Sequence, residues 1–466
     1  MSDSWAADVP IRKSIPWAAA AVVSFQLAHE SEMLRGLTVV FLFSLVPLAR
    51  LKTGRAAFYM GIGLGLALYG PQLAFFWTIF NVSAIALWCV LAFWVGLFLL
   101  LSRQALLHFG RAGLVLIPIL WLGLEYFRSE VYYLRFAWLT PGLVFSGSRL
   151  ANGLGALGVY GIGGFLFAVA AGAWALERKP RYLVLGLAAL MSSLLGSAPQ
   201  TSANAAGTRV DVAGVQLEFP DESEVLIALN DLARTRTNAS LLVLSEYTFK
   251  EPIPEKVLRW CRENGKFLVA GGQDPTGDDY FNTAFVVGPT GSVVFKQAKS
   301  VPVQFFKDGL PAREQKVWNS PWGKIGLAVC YDLSYRRVMD RLVAQGCQGL
   351  VIPTMDELGW GERQHRLHGR IAPMRAAEFG LPIFRLCSSG ISQAVERGGR
   401  VTATAPFPGS GEVISTTFVL GQPGRVPLDY WLGPLAVGIS GLLIVVFMVK
   451  AFPRKRRLSS AVGSSP

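Results

Sequence analysis

Apolar runs long enough to cross a bilayer crowd the first 200 residues of this 466-residue chain, and one more stands near its end. A hydrocarbon core of about 30 Å takes about 20 apolar residues in a helix, and inside it every backbone N–H and C=O must be bonded within the protein. The spans read as 15–29, 34–49, 56–76, 83–102, 112–127, 156–176, 182–197 and 430–450. Hydrophobic residues make up 52% of the chain and charged residues 16%, against about 25% charged in an average soluble domain. A wholly soluble protein is excluded. With 29 Phe, 13 Trp and 12 Tyr, a disordered one is excluded as well.

The net charge of +13 suits either a nucleic-acid binder or a membrane protein with basic cytoplasmic loops, and placement decides between them. With the N-terminus in the cytoplasm, the inside segments hold Arg12, Lys13, Arg50, Lys52, Arg55, Arg103, Arg111, Arg178, Lys179, Arg181, Lys450, Arg454, Lys455, Arg456 and Arg457. The opposite side, outside the large insert, holds only Arg35, Arg128, Arg135 and Arg149. This asymmetry orients the spans and leaves no charge that calls for nucleic acid. The basic N-terminus resembles a signal peptide, but no small-residue cleavage site follows Gln26 to Glu30, and the segment reads as retained.

The expected organisation is therefore a membrane domain of about seven transmembrane helices over 1–197, an extracytoplasmic domain over 198–429, a transmembrane helix over 430–450 and a basic cytoplasmic tail over 451–466. Within the insert, β-type runs at Arg209–Gln216, Ser240–Leu244, Lys266–Ala270, Thr283–Val287, Ser292–Phe295, Lys324–Val329 and Gly349–Ile352 alternate with helical patterns at Ser223–Arg234, Glu255–Asn264, Tyr335–Gly346 and Gln364–Phe379. That alternation predicts an α/β domain. Pro199–Gly207 reads as a linker, and the tail after Lys455 as disordered.

Five cysteines without a CxxC pair suggest neither a disulfide framework nor a zinc site. Cys261, Cys347 and Cys387 read as packing residues. Cys330 differs, because it ends the apolar run 323–329 and opens Tyr331-Asp-Leu-Ser-Tyr-Arg-Arg337. At such a strand-to-helix elbow, N–H groups can stabilise a thiolate or an oxyanion. Glu246 closes the apolar run 241–244, and Lys299 follows the run that starts at Gly291. A cysteine nucleophile needs a base and an oxyanion partner; Glu and Lys at strand ends can supply both. Lys296 competes with Lys299 for the lysine role, and the spacing from Gly291 favours Lys299.

These residues, Leu-Ser-Glu-Tyr (244–247), Phe-Asn-Thr-Ala (281–284), Gly291, Lys299 and Val-Cys-Tyr-Asp (329–332), resemble the nitrilase (carbon–nitrogen hydrolase) superfamily. The resemblance implies an αββα sandwich working without metal or other cofactor, with Glu246 as general base, Lys299 stabilising the oxyanion and Cys330 as nucleophile. Leu-Glu-Tyr-Phe-Arg (124–128), Phe-Ala-Trp (136–138) and Gly-Val-Tyr-Gly (158–161) narrow it to the apolipoprotein N-acyltransferase family. So do Met-Asp (355–356), Trp360, Gln-His (364–365), Met-Arg-Ala-Ala-Glu (374–378), Arg385 and Ser-Ser-Gly (388–390). The narrower resemblance implies a multi-pass protein of the bacterial inner membrane with its catalytic domain on the periplasmic side. It implies acyl transfer from a phospholipid, through a cysteine thioester, to the N-terminal amine of a lipid-anchored diacylglyceryl-cysteine protein. Tyr331, Asp332, Asp356, Trp360, Arg375 and Glu378 are the expected supporting residues.

The chain departs from the family pattern in four places. Pro302-Val-Gln-Phe-Phe-Lys307 replaces Pro-Phe-Gly-Glu, so an acidic residue after the lysine is expected to be missing. Asp332 stands for a Glu, Met355 for an Asn and Ser389 for an Asn. These changes keep open a membrane-tethered amidase or an N-acyltransferase with another acceptor; the triad argues against an inactive scaffold. Arg375 and Glu378, at i and i+3, predict an ion pair, as do Glu125 and Arg128. His365 and His368 lack a third ligand at metal-binding spacing. Trp260, Trp318, Trp322 and Trp360 fit either the core or a bilayer-facing surface.

Overall fold

A computed structural model describes residues 9–197, 206–409 and 411–451. The expected linker at 199–207 falls largely outside the described residues, and the tail after Lys455 lies wholly outside them. Eight helices fill the N-terminal region: α1 (Ile11–Glu30), α2 (Leu37–Leu48), α3 (Gly54–Gln72), α4 (Phe75–Phe80), α5 (Ser83–Phe109), α6 (Gly113–Tyr126), α7 (Leu154–Ala175) and α8 (Arg178–Ser197). By length and composition, the described helical stretches able to cross a membrane are Ser83–Val131, which joins α5 and α6, Leu154–Ala175 and Asp429–Lys450. Glu125 and Arg128, both buried, approach to 3.9 Å.

The described residues of the insert form two six-stranded sheets. The first contains β1 (Thr208–Val215), β2 (Leu241–Val243), β3 (Phe267–Thr276), β4 (Asp279–Val287) and β5 (Val293–Ala298). The second contains β6 (Val317–Ser320), β7 (Gly323–Leu327), β8 (Gly349–Thr354), β9 (Ile383–Cys387), β10 (Ser392–Val395) and β11 (Val401–Ala405). The last strand, β12 (Val413–Leu420), returns to the first sheet and pairs antiparallel with β1. Alternate residues along each strand face opposite sides. Val212, Val243, Val269 and Val286 meet Ile325, Leu327, Val351 and Phe384 between the sheets. Leu242, Leu244, Leu268 and Val287 turn outward under α9 (Glu222–Thr235) and α10 (Glu255–Asn264).

The second sheet's outer face carries α11 (Arg336–Ala344), α12 (Glu362–Gly369) and α13 (Ile371–Phe379). Leu350, Ile352 and Ile383 there belong to the same apolar core as the N-terminal helices. The fourth layer of the sandwich is thus continuous with the helical region. The single helix expected over Gln364–Phe379 is two helices, because Pro373 has no N–H to donate back to Gly369. Strands β6 and β9 to β12 escaped the sequence reading; β9 and β10 are buried along their whole length and lack the alternation that marks a half-exposed strand.

The C-terminal helix α14 (Asp429–Ala451) packs against α6 and α7. Gly158 breaks α7 with φ +79°, a conformation costly for any residue with a Cβ. The break frees the N–H groups of Val159 and Tyr160, which donate to Glu378 Oε1 at 2.8 Å and Asp429 Oδ2 at 3.1 Å. Arg375 pairs with Glu378, as their spacing predicts, and its Nε donates to the Leu333 carbonyl at 3.0 Å. Through Arg375 and Glu378 the helices are tied to the turn that carries Cys330.

Candidate active site

Strands β2 and β5 run in one direction in the first sheet and β7 and β8 in one direction in the second, and the segments after their C-terminal ends carry Glu246, Lys299, Cys330 and Asp356. Glu246 passes Gly271, whose backbone lies so close that a Cβ there would sit 2.5 Å from the Glu246 Cα. Cys330 opens a 3-10 turn over Cys330–Ser334 with φ +50°. Left-handed backbone at a residue with a side chain costs about 1–2 kcal/mol and is held only where surrounding structure over-determines it.

Asp332 supplies much of that determination. Its buried carboxylate accepts from Val301 N at 2.7 Å, Ser300 N at 3.0 Å and Val329 N at 3.1 Å, clamping the segment after Lys299 onto the cysteine turn. Burial pushes its pKa up to about 6, against the pull of those N–H donors and Lys299. In Asp332→Ala three buried N–H groups lose their acceptor, at about 1–3 kcal/mol each. The thermal midpoint is expected to fall by roughly 6 °C or more; an unchanged midpoint in a melting curve would refute the clamp.

Lys299 is buried and holds two carboxylates, Glu246 Oε1 at 2.9 Å and Asp308 Oδ2 at 2.7 Å. Asp308 corrects the expectation of a missing acid. It lies one residue beyond Lys307, and the loop folds back so that Leu310 N bonds the Tyr280 carbonyl and Ala312 N the Lys299 carbonyl, both at 2.8 Å. Loop spacing does not reveal such a return. Asn282 of the Phe-Asn-Thr-Ala motif donates to both Glu246 Oε1 (2.6 Å) and Asp308 Oδ1 (2.8 Å), and Tyr247 Oη donates to Asp308 Oδ1 (2.7 Å). The motif was legible, but its bridging role was not. Lys296 points elsewhere, to a half-exposed pair with Asp274 at 2.5 Å.

Electrostatics follow from burial. Burial lowers the Lys299 pKa, yet Asp308 and Glu246 overcome it and hold the ammonium well above the ordinary lysine range. Burial raises Glu246, and Lys299 opposes the rise. Burial, then Glu246, pushes the Cys330 thiol well up. The cysteine is therefore a thiol at rest and needs a base to become a nucleophile.

Cys330 lines two cavities. One, of about 120 Å³, is apolar and runs into the helical region, lined by Phe75, Phe76, Phe80 and Leu91 as well as Tyr331. The other, of about 380 Å³, holds the charged groups Glu246, Lys299, Asp308 and Lys307, with Tyr280 beside them. Trp360 and Phe306 line both. Of the other tryptophans, Trp318 and Trp322 pack with Phe267, and Trp260 donates to Asn230 under the first sheet. Arg375 and Glu378 do not reach the cavities; they act on the turn behind Cys330.

Residues 17–173 match the family described as apolipoprotein N-acyltransferase N-terminal domain, and residues 215–422 match carbon–nitrogen hydrolase. Apolipoprotein N-acyltransferase of Shewanella oneidensis is 26% identical over 78% of this chain and 81% of its own, and that of Nitrosomonas europaea is 24% identical over 83% and 84%. Omega-amidase NIT2 of Mus musculus is 29% identical over 22% of this chain and 44% of its own. A solved amidase from Nesterenkonia sp. covers 47% of this chain and 95% of its own at 18% identity, with a TM-score of 0.40. Both matched regions occur here in one chain, and relatives named apolipoprotein N-acyltransferase match about four-fifths of it, so this chain joins an apolipoprotein N-acyltransferase N-terminal domain to a carbon–nitrogen hydrolase domain.

Proposed function

We propose that this protein moves an acyl chain from a phospholipid onto Cys330 and then onto the N-terminal amine of a diacylglyceryl-cysteine lipoprotein, at the periplasmic face of a bacterial inner membrane. The observation that carries the reading is the place of Cys330 between an apolar cavity that reaches the helices and a second one that holds the charged groups Glu246 and Lys299. The first gives an acyl chain apolar surroundings; a small soluble amide has no use for them.

In the first half-reaction Glu246 takes the thiol proton and the thiolate attacks the ester carbonyl. Lys299 and backbone N–H groups of the cysteine turn stabilise the oxyanion. The ester C–O bond then breaks, and Glu246 returns its proton to the departing lysophospholipid oxygen. In the second, the neutral amine attacks the thioester carbonyl, Glu246 accepts its proton, and the C–S bond breaks to give the amide and a thiolate that is reprotonated from Glu246. Asp308 keeps Lys299 charged throughout. Helices on either side of the sandwich confine the site to the bilayer surface, which orients two lipid-anchored substrates.

Purified protein incubated with radiolabelled phospholipid in detergent micelles is expected to carry label on Cys330, and a diacylglyceryl lipopeptide is expected to remove that label as an N-acyl product. Absence of an adduct overturns the reading. An adduct that turns over in water and ignores the lipopeptide replaces it with a membrane-tethered hydrolase.

A further inference from the structure

Among the described residues that line the apolar cavity, Arg135 is the only arginine, lysine or carboxylate, and the same wall carries Cys330 and Tyr331. Arg135 comes four residues after the membrane-length stretch Ser83–Val131 ends, where a spanning segment passes from hydrocarbon to headgroups. A second arginine stands beside it. Both lie against Tyr335, the Cζ of Arg135 6.0 Å and that of Arg337 5.7 Å from the ring centroid. Tyr335 is buried; its hydroxyl donates to the Arg135 carbonyl at 3.2 Å, and its ring packs edge-on against Tyr331, with centroids 5.0 Å apart. Contacts thus run from the neighbour of the nucleophile to the two charges.

Neither charge is answered within the protein. Both side chains are half-buried, and among the described residues neither has an ion-pair or hydrogen-bond partner. The acids nearby are already engaged: Glu130 accepts from Tyr160 Oη at 2.7 Å and Arg336 N at 3.1 Å, and Asp340 pairs with Arg336 at 3.2 Å. Burial lowers the Arg337 pKa, and the Arg135 charge lowers it further. Like charges side by side raise each other's energy, the more so away from bulk water. Their unbonded nitrogens are also within reach of a ligand. Of the Arg135 guanidinium only Nε is buried; Nη1, Nη2 and the whole Arg337 guanidinium keep accessible surface. A guanidinium presents its donors in a planar fork that matches the oxygens of a phosphate.

We propose that Arg135, backed by Arg337, takes the phosphodiester of the phospholipid donor, whose acyl chain enters the apolar cavity and whose ester meets Cys330. The inference rests on the acyl-transfer reading and adds what selects the donor. Both substrates of that reaction carry acyl esters on a glycerol unit, so apolar surroundings alone cannot tell them apart. Only the phospholipid carries a phosphate; the diacylglyceryl group of the acceptor ends in a thioether. A cation at the cavity wall therefore favours removal of the acyl chain from the phospholipid over its removal from the lipoprotein.

The test uses the full-length chain in detergent, with Arg135→Gln, Arg135→Lys and Arg337→Gln, and two labelled donors: a phospholipid and the p-nitrophenyl ester of the same fatty acid, which has no phosphate. Arg135→Gln is expected to raise the apparent KM for phospholipid in Cys330 acylation by roughly tenfold and Arg337→Gln by about threefold, with Arg135→Lys recovering part of the loss. Acylation by the nitrophenyl ester is expected to stay within about twofold in all three, which also reports that the site has folded. A dialkyl ether phospholipid, with the phosphate but no ester, is expected to compete with the nitrophenyl ester on the parent and about tenfold more weakly on Arg135→Gln. An unchanged KM for phospholipid in Arg135→Gln overturns the subsite. An equal loss with both donors also overturns it, by marking a structural role, as does inhibition by inorganic phosphate as strong as by the ether lipid, which marks a site for free anions. If the parent takes label from the nitrophenyl ester and none from phospholipid, the acyl-transfer reading has failed, and the ether-lipid competition still decides the subsite.

Discussion

Cys330→Ala is expected to abolish acyl transfer, with a loss on the order of 10⁶-fold, the scale seen when a covalent catalyst loses its nucleophile. The change removes one sulfur from a site whose order does not depend on it. The Cys330 Sγ makes a single 3.5 Å contact with the Met355 carbonyl, whereas the turn is held by Asp332 and by Arg375. Alanine at φ +50° keeps the same backbone penalty as cysteine, so the variant is expected to fold and to melt within about 1 °C of the parent. Phospholipid labelling followed by mass spectrometry of the Cys330 peptide reads the effect directly. Residual transfer above one part in about a thousand would mean that another group attacks the ester.

Glu246→Gln is the second large effect, a slowing of Cys330 acylation by about 10²–10⁴-fold, the range ascribed to a positioned general base. Glutamine keeps the shape and one acceptor oxygen for Lys299 and Asn282 but cannot take a proton, and its amide nitrogen replaces the Oε2 that accepts from Met355 N at 2.7 Å. Lys299 retains its full counter-charge, because Asp308 Oδ2 lies 2.7 Å away. The variant therefore isolates the base from the ion pair. The Cys330 thiol is expected to remain protonated in the absence of a neighbouring base, so raising the pH toward the thiol's elevated range should recover part of the lost rate. Stopped-time acylation assays across pH 6 to 10 would check this; a variant as fast as the parent near neutrality would remove Glu246 from the mechanism.

Much of the catalytic edge was legible because strand ends and elbows leave local marks. The apolar runs before Glu246 and Cys330 and the glycine turn before Lys299 are contiguous in the chain, and the resemblance of these segments to a known family named the three residues together. Asp308 was not legible. It belongs to a loop whose return depends on backbone bonds from Leu310 to Tyr280 and from Ala312 to Lys299, and an acid counted by spacing from the lysine falls one position short. The same limit hid Asn282, whose side chain serves Glu246 and Asp308 at once.

The Gln364–Phe379 helix was drawn too long because apolar periodicity continues past Arg370, where the helix breaks: Pro373 in the first turn of α13 has no N–H for the Gly369 carbonyl. Gln364 and His368, one turn apart on α12, share Asp356. In sequence the two histidines invited a metal reading or none; in space the partner of His368 is a carboxylate 12 residues upstream.

By itself the amino-acid sequence determined the division into an apolar helical part and an α/β insert, and the strand ends at which Glu246, Lys299 and Cys330 stand, since hydrophobic periodicity and turn chemistry act over a few residues at a time. Only the tertiary structure decided that Asp308 shares Lys299 with Glu246, that Cys330 lies between an apolar cavity and one holding the charged groups, and that Asp356 gathers Gln364, His368 and Arg385. Those arrangements depend on groups far apart in the chain meeting in a buried space, where a donor left without an acceptor is costly.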